Sequence, residues 1–276
     1  MSKRSKIALG TVQFGLDYGI SNKEGKPNQK SVQEIITFAK NTGIELIDTA
    51  SAYGNAEAVL GNEDLSSFKI VSKFLPENGM NNIPDSLRKS LSQLKVNRLY
   101  GYLAHRANSV SLNDWEILKA YKNDGKIEKI GFSYQSVDEV ERTLKSGFIP
   151  DLVQIPFNYF DNRFEAICLK LKEYNVEIHS RSTFLQGLFF MSITELTNSF
   201  QEVQDLILEL QKRFRDQLAG QLLNYVVNQE FIDYVVIGVQ NKSQLETNLQ
   251  SLNQALKLSK LDRNISGNVL NPALWN

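Results

Sequence analysis

The chain has 276 residues, 42% of them hydrophobic and 22% charged, a globular composition that excludes intrinsic disorder. Its 31 Lys and Arg balance 31 Asp and Glu, so no general attraction to nucleic acid or to an anionic membrane is expected. A single cysteine, Cys168, cannot form an internal disulfide and points to a reducing compartment. Two histidines, His105 and His179, exclude a three-His zinc site.

The basic start, Met1 to Lys6, leads into only three apolar residues before Gly10, too short for a signal peptide. No run of about 20 apolar residues occurs, and a cytoplasmic protein is the expectation. Short apolar segments rich in Ile, Val, Leu or Tyr then recur in chain order: Lys6–Leu9, Glu45–Asp48, Phe68–Lys73, Leu99–Ala104, Lys129–Phe132, Leu152–Pro156, Val176–Ser180 and Tyr234–Val239. Their lack of polar alternation predicts strands buried on both faces. Helical spacing fills the intervals. Val32, Ile35, Ile36 and Ala39 precede a stop at Gly43, and Phe164, Ile167, Cys168 and Leu171 repeat the pattern. Leu245, Leu249, Leu252 and Leu256 form a third such stripe. Segments Asn113–Asp124 and Ser136–Ser146 end at Gly125 and Gly147 as helix C-caps do. Thr197 to Asn228 is expected to hold one helix and an irregular entry loop.

Eight strand–helix units predict parallel strands with crossover helices, and their number favours one (β/α)8 TIM barrel using residues 1–276 as a single domain. An open doubly wound sheet is the structural alternative. Cys168 on an apolar helix face is expected to be a buried small side chain, and His179 a core or lining residue.

Chemistry in such a barrel belongs at the C-terminal ends of the strands. Asp48 ends the second strand, Tyr53 follows in its loop, Lys73 ends the third and His105 the fourth. A buried lysine needs a counter-ion, which Asp48 supplies. A phenol ordinarily titrates near about 10, and a neighbouring ammonium favours its ionised form, which suits Tyr53 to proton transfer. His105 is placed to orient a substrate oxygen. Together these residues suit carbonyl reduction, with hydride from a cofactor because no side chain supplies it. A Schiff-base lyase or aldolase built on Lys73 is a competing reading, opposed by Asp48, which would keep the lysine charged.

The run Gly43-Ile-Glu-Leu-Ile-Asp-Thr-Ala-Ser-Ala-Tyr-Gly54, followed by Glu57, Gly61, Lys73 and Leu103-Ala-His-Arg106, resembles the aldo-keto reductase superfamily, as does the opening Leu9-Gly-Thr-Val-Gln-Phe-Gly15. The likeness runs from Leu9 to about Asn248. It implies a (β/α)8 barrel, a nicotinamide dinucleotide held without a Rossmann fingerprint, and Tyr53 as proton donor tuned by Lys73 and Asp48, with His105 orienting the carbonyl. It also implies cofactor contacts from Thr11, Asp48, Ser133 and Gln154, the last two at the nicotinamide carboxamide. Further contacts are implied from Arg181, Ser182, Thr183, Phe184, Leu185 and Gly187 in a run where Gln186 also fits the family pattern, and from Gly238, Gln240, Gln244 and Asn248 at the adenosine end. Asn158 matches a structural position. Two departures stand out: Arg181 replaces an aromatic that stacks on the nicotinamide, and Gln244 replaces an arginine for the 2′-phosphate, with Lys242 nearby. Arg181 is either a cofactor platform or a clamp for a substrate anion. NADP(H) is favoured as cofactor, with NAD(H) possible. The expected function is NAD(P)H-dependent reduction of an aldehyde or ketone, or the reverse oxidation. The alternative is a cofactor-binding regulatory subunit with little turnover. The tail Ser259–Asn276, with Leu274 and Trp275, is expected to cap the pocket or to pack on the barrel.

Overall fold

A computed structural model describes residues 3–76 and 80–275. Eight parallel strands close into a barrel in sequential order: β1 Ile7–Gly10, β2 Leu46–Asp48, β3 Lys69–Phe74, β4 Leu99–Ala104, β5 Ile127–Ser133, β6 Leu152–Pro156, β7 Glu177–Arg181 and β8 Tyr234–Gly238. The apolar runs therefore locate every strand to within two residues. The helices are α1 Val12–Gly15, α2 Gln29–Asn41, α3 Ala56–Leu60, α4 Ile83–Leu94, α5 Leu112–Asn123, α6 Val137–Lys145, α7 Glu165–Glu173, α8 Gln204–Phe214, α9 Leu218–Val227, α10 Lys242–Gln254 and α11 Gly267–Leu270.

Local chemistry sets the helix ends. Asn28 caps α2, and Ser111 with Asp114 and Ser136 with Glu139 form reciprocal capping boxes on α5 and α6. Gly43, Gly125 and Gly147 all take the left-handed conformation expected where a helix stops. Thr197–Asn228 departs from expectation. It folds as a 3-10 turn followed by two helices, α8 and α9, separated where Arg215 adopts a positive φ of 46°. Leu256 also departs: it lies beyond α10 and is exposed.

Side chains alternate along each strand between the lumen and the helical layer. Ala8, Leu46, Val71, Leu103, Leu152, Tyr234 and Val236 form the apolar filling of the lumen. The outward positions join the main core between strands and helices, where Cys168 is buried. A second outer cluster gathers Phe160, Leu185, Leu188, Phe189 and Phe200 beneath the segment after β7. Trp275 packs edge-on against Phe200, its indole N–H donating to the Asn268 and Val269 carbonyls, so this part of the tail packs on the helical layer while Leu274 stays exposed.

The lumen filling dictates what lies above and below it. Two residues beyond Leu46, Val71, Leu103 and Leu152, on the same inward face, are Asp48, Lys73, His105 and Gln154. At the opposite end, Glu177 accepts hydrogen bonds from Lys129 and from the Tyr100 hydroxyl at 2.8 Å, and pairs with His179 Nε2 at 2.8 Å. Burial pushes the Glu177 carboxyl up, but the bonds to His179, Lys129 and Tyr100 outweigh it and bring it down to about 2. His179 is thus a lining residue of the closed end. Among the described residues, no helix is long and apolar enough to cross a membrane, and no group of three or more His, Cys, Asp or Glu is placed to hold a metal ion.

Candidate active site

Lys73, fully buried, lies at the centre of the open end. Its ammonium donates to Asp48 Oδ1 at 2.7 Å, to the Thr49 carbonyl at 3.0 Å and to the Tyr53 hydroxyl at 3.2 Å. Burial alone lowers the lysine's affinity for its proton; Asp48 and Tyr53 outweigh that, so its pKa is raised. Lys73 is therefore a fixed cation. Asp48 is held from its other oxygen by Gln154 Nε2 at 2.7 Å, and its carbonyl accepts from Thr11 Oγ1 at 2.9 Å.

Tyr53 owes its place to two glycines. A Cβ on Gly15 would lie 1.7 Å from the Tyr53 carbonyl oxygen, and one on Gly54 would lie 2.4 Å from the Gly15 carbonyl oxygen. The segment after β1 and the segment after β2 thus touch backbone to backbone, which only glycine permits. Glu57 anchors the same loop: its buried carboxylate accepts from Ser72 at 2.5 Å and Ser90 at 3.1 Å, and burial raises its pKa.

His105 completes the quartet, its ring edge-on to Tyr53 with centroids 5.7 Å apart. Burial first, and then the charges of Lys73, Arg181 and Arg106, push the imidazole down to about 3. It is neutral across the ordinary pH range, and Nδ1 is buried without a partner. The structure thus brings together all four residues marked by strand-end position.

The surrounding residues divide into those open to a ligand and those already engaged. Ser133 Oγ, Gln154 Oε1 and Thr183 Oγ1 are buried and unpartnered, a cost usually met by a ligand or water. A hydroxyl donor and an amide acceptor at the ends of neighbouring strands β5 and β6 fit a carboxamide, so the residues present suit a nicotinamide. The segment after β7 is strained: Ser182, Leu185 and Gln186 have positive φ, as does Gly187, and such clusters favour binding loops. The Leu185 side chain is buried in the second outer cluster, which leaves its backbone as the part open to a ligand. Phe184 packs against Phe190, and Ser182 approaches the Arg181 guanidinium at 3.3 Å. Tyr134, after Ser133, is a buried side chain packed on Phe132. Asn158 braces the same region, donating to the Ser182 carbonyl at 3.1 Å.

The end of β8 is closely filled. A Cβ on Gly238 would meet Gln13 Oε1 at 2.2 Å. Asn241 caps α10 by accepting from the Gln244 backbone N–H, the Gln244 side chain binds Gln240 in return, and Asn248 is buried on the same helix. Lys242 turns toward α2, its ammonium 5.5 Å from the Phe38 ring centroid, and so is displaced from the cap. Glu24 Oε2 accepts from Asn241 Nδ2 at 3.4 Å.

Two residues of the mouth went unmarked in the sequence, Gln13 and Tyr18. Burial first, with the Tyr53 hydroxyl, raises the pKa of Tyr18, while Arg181, a bond to Gln186 and Lys73 lower it. Tyr18 therefore belongs to the same electrostatic cluster. The only available signal is its place shortly after the Gly-Thr run closing β1.

The profile of the aldo/keto reductase family matches residues 6–264. The chain belongs to the aldo/keto reductase family. Glyoxal reductase of Bacillus subtilis is 32% identical over 173 residues, 58% of this chain and 60% of the relative. The NAD/NADP-dependent indole-3-acetaldehyde reductase of Schizosaccharomyces pombe is 26% identical over 157 residues, 52% of this chain and 55% of the relative. The matches thus span between half and two thirds of these relatives' lengths. An aldo-keto reductase of Bacillus halodurans, solved in holo form, superposes with a TM-score of 0.71 at 16% identity, covering 92% of this chain and 88% of that one. A Pseudomonas aeruginosa protein described as a putative aldo-keto reductase gives 0.67 at 23% identity, covering 90% of each chain. These likenesses establish the fold.

Proposed function

We propose that this aldo/keto reductase interconverts an aldehyde or ketone and its alcohol with a nicotinamide dinucleotide, using Tyr53 as the proton donor. The observation that carries this reading is the buried Lys73 ammonium bound at once to Asp48 at 2.7 Å and to the Tyr53 hydroxyl at 3.2 Å. NAD(P)H supplies the hydride when bound. As negative charge develops on the substrate oxygen, Tyr53 releases its proton to that oxygen, and the adjacent ammonium stabilises the phenolate left behind. Asp48 holds Lys73 charged and fixed, so the lysine acts through Tyr53 and forms no bond to substrate. The neutral His105 ring offers an N–H to the same oxygen and sets its approach. In the reverse direction the phenolate takes the alcohol proton. Ser133 and Gln154 orient the carboxamide, the hydroxyl donating and the amide oxygen accepting.

Relatives named for glyoxal and indole-3-acetaldehyde reduction support a small carbonyl substrate. The expectation favouring NADP(H) meets a cap with no arginine: Gln244 is engaged with Gln240, Lys242 lies over Phe38, and the Glu24 carboxylate adjoins Asn241. This arrangement favours NAD(H) over the 2′-phosphorylated form. Titration of NADH and NADPH by nicotinamide fluorescence, followed by cofactor consumption with a carbonyl panel, tests both points. Saturable binding and carbonyl-dependent consumption are expected, with NADH bound at least as tightly. Absence of binding by either cofactor overturns the function, and a clearly tighter NADPH overturns the preference.

A further inference from the structure

We infer that Arg181 is a substrate-recognition residue and that the carbonyl substrate carries an anionic group, a carboxylate or phosphate, that the guanidinium receives. This rests on the reductase reading above and names the substrate class for the same site.

Arg181 ends β7 directly above the lumen-lining His179, two residues earlier on the same face. It is half-buried. One guanidinium nitrogen donates to the Tyr134 carbonyl at 3.0 Å and another approaches Ser182 Oγ at 3.3 Å. These contacts pin the group but leave its charge unmatched: among the described residues no carboxylate pairs with it. Arg163, also partly buried, is by contrast paired with Asp161. A partly desolvated guanidinium without a counter-ion is costly unless an anion visits it. Its planar fork matches a carboxylate or phosphate.

Its direction identifies the visitor. The Arg181 charge acts on both His105 and Tyr18, the two residues grouped around Tyr53. The one acid of the catalytic group, Asp48, is already neutralised by Lys73. Asp48 is therefore not free to balance the Arg181 charge. The candidate adenosine-end positions, Gly238, Gln240 and Gln244, lie from the end of β8 to the start of α10. The guanidinium is instead tied to the Tyr134 carbonyl beyond the end of β5.

The test compares glyoxylate, succinic semialdehyde and para-carboxybenzaldehyde, each with its methyl ester. The three differ in carbonyl-to-carboxylate spacing. At least one acid is expected to exceed its ester in kcat/KM by roughly 10- to 100-fold, as for a charge-assisted hydrogen-bonded pair. Arg181→Met abolishes that ratio, Arg181→Lys keeps part of it, and Arg106→Gln, removing the exposed neighbouring cation, keeps most of it. Benzoate titrated calorimetrically into the protein, with and without NADH, gives a readout independent of turnover: binding to wild type, and at least tenfold weaker binding to Arg181→Met. If no carbonyl compound is consumed, the reductase reading fails and the benzoate titration alone decides the role of Arg181. Equal benzoate binding by wild type and Arg181→Met, or an acid-to-ester ratio untouched by Arg181→Met, overturns the inference. So does a loss in Arg106→Gln equal to that in Arg181→Met, which would mean a general field. A weaker NADH affinity with acid and ester rates falling equally would assign Arg181 to the dinucleotide and also overturn it.

Discussion

The two ends of the barrel lumen hold similar residue types but differ in how many buried polar atoms go unpaired. At the closed end, Glu177 is met by Lys129, Tyr100 and His179, so the charge is matched where it stands and, of these groups, only His179 Nδ1 is buried without a partner. At the open end, Lys73 and Asp48 are matched, but among the described residues Ser133 Oγ, Gln154 Oε1, Thr183 Oγ1 and His105 Nδ1 are buried without partners and Arg181 has no counter-ion. Paired groups lock a barrel end. Unpaired ones are tolerated where a ligand completes them, which separates the stabilising face of such a barrel from its reacting face.

The sharpest way to break this contrast is to remove one charge from each end. Lys73→Met is expected to lower kcat by about 10²- to 10⁴-fold, the range for a lost proton-transfer arrangement, when carbonyl-dependent cofactor consumption is measured. Glu177→Ala at the closed end is expected to cost about 3 kcal/mol in urea unfolding, because Lys129 loses its counter-ion, while kcat of the folded fraction is kept. If the two variants exchange phenotypes, the division between the ends is wrong. Gly15→Ala comes next. Its Cβ must displace the Tyr53 backbone, so kcat should fall about tenfold or more with little change in cofactor affinity, consistent with the sensitivity of catalysis to small misplacements.

The smallest effect is in pH dependence. The folded His105 pKa of about 3 lies below its ordinary 6.5, so the unfolded chain binds the extra proton first. Stability from this group is complete above about pH 6.5 and is lost as pH falls toward 3. Glu177, depressed from 4.5 to about 2, also contributes stability that is lost on acidification, but only below about pH 4.5. Between pH 7 and 5 the wild type should therefore lose about 1–2 kcal/mol that His105→Gln retains and Glu177→Ala does not. Denaturant midpoints at the two pH values measure it.

Strand positions were legible because each strand of a parallel barrel is buried on both faces and therefore reads as an apolar run. The candidate residues Asp48, Lys73 and His105 were legible for a related reason: polar residues that terminate such runs emerge at one end. The break between α8 and α9 was not, since apolar spacing continues across Arg215 and only its backbone turns. Helix α4 went unmarked although Asn82 caps it, with Pro84 in its first turn. Tyr18 and Gln13 were hidden because the loop after β1 folds back over the mouth, a placement fixed by the contact between Gly15 and the Tyr53–Gly54 backbone. The burial of the Leu185 side chain in the outer core was not legible, because it depends on the positive backbone angles of the segment after β7. His179 shows the reverse: a lining position read correctly, whose partner Glu177 at the strand start gave no separate signal.

The most direct measurement is a stopped-flow single turnover of Tyr53→Phe premixed with NADH or NADPH and then with an aldehyde that the wild type reduces. The account predicts cofactor fluorescence titrating as in the wild type, with hydride transfer slowed at least 100-fold. A transfer rate equal to that of the wild type would show that the Tyr53 hydroxyl is not the proton donor.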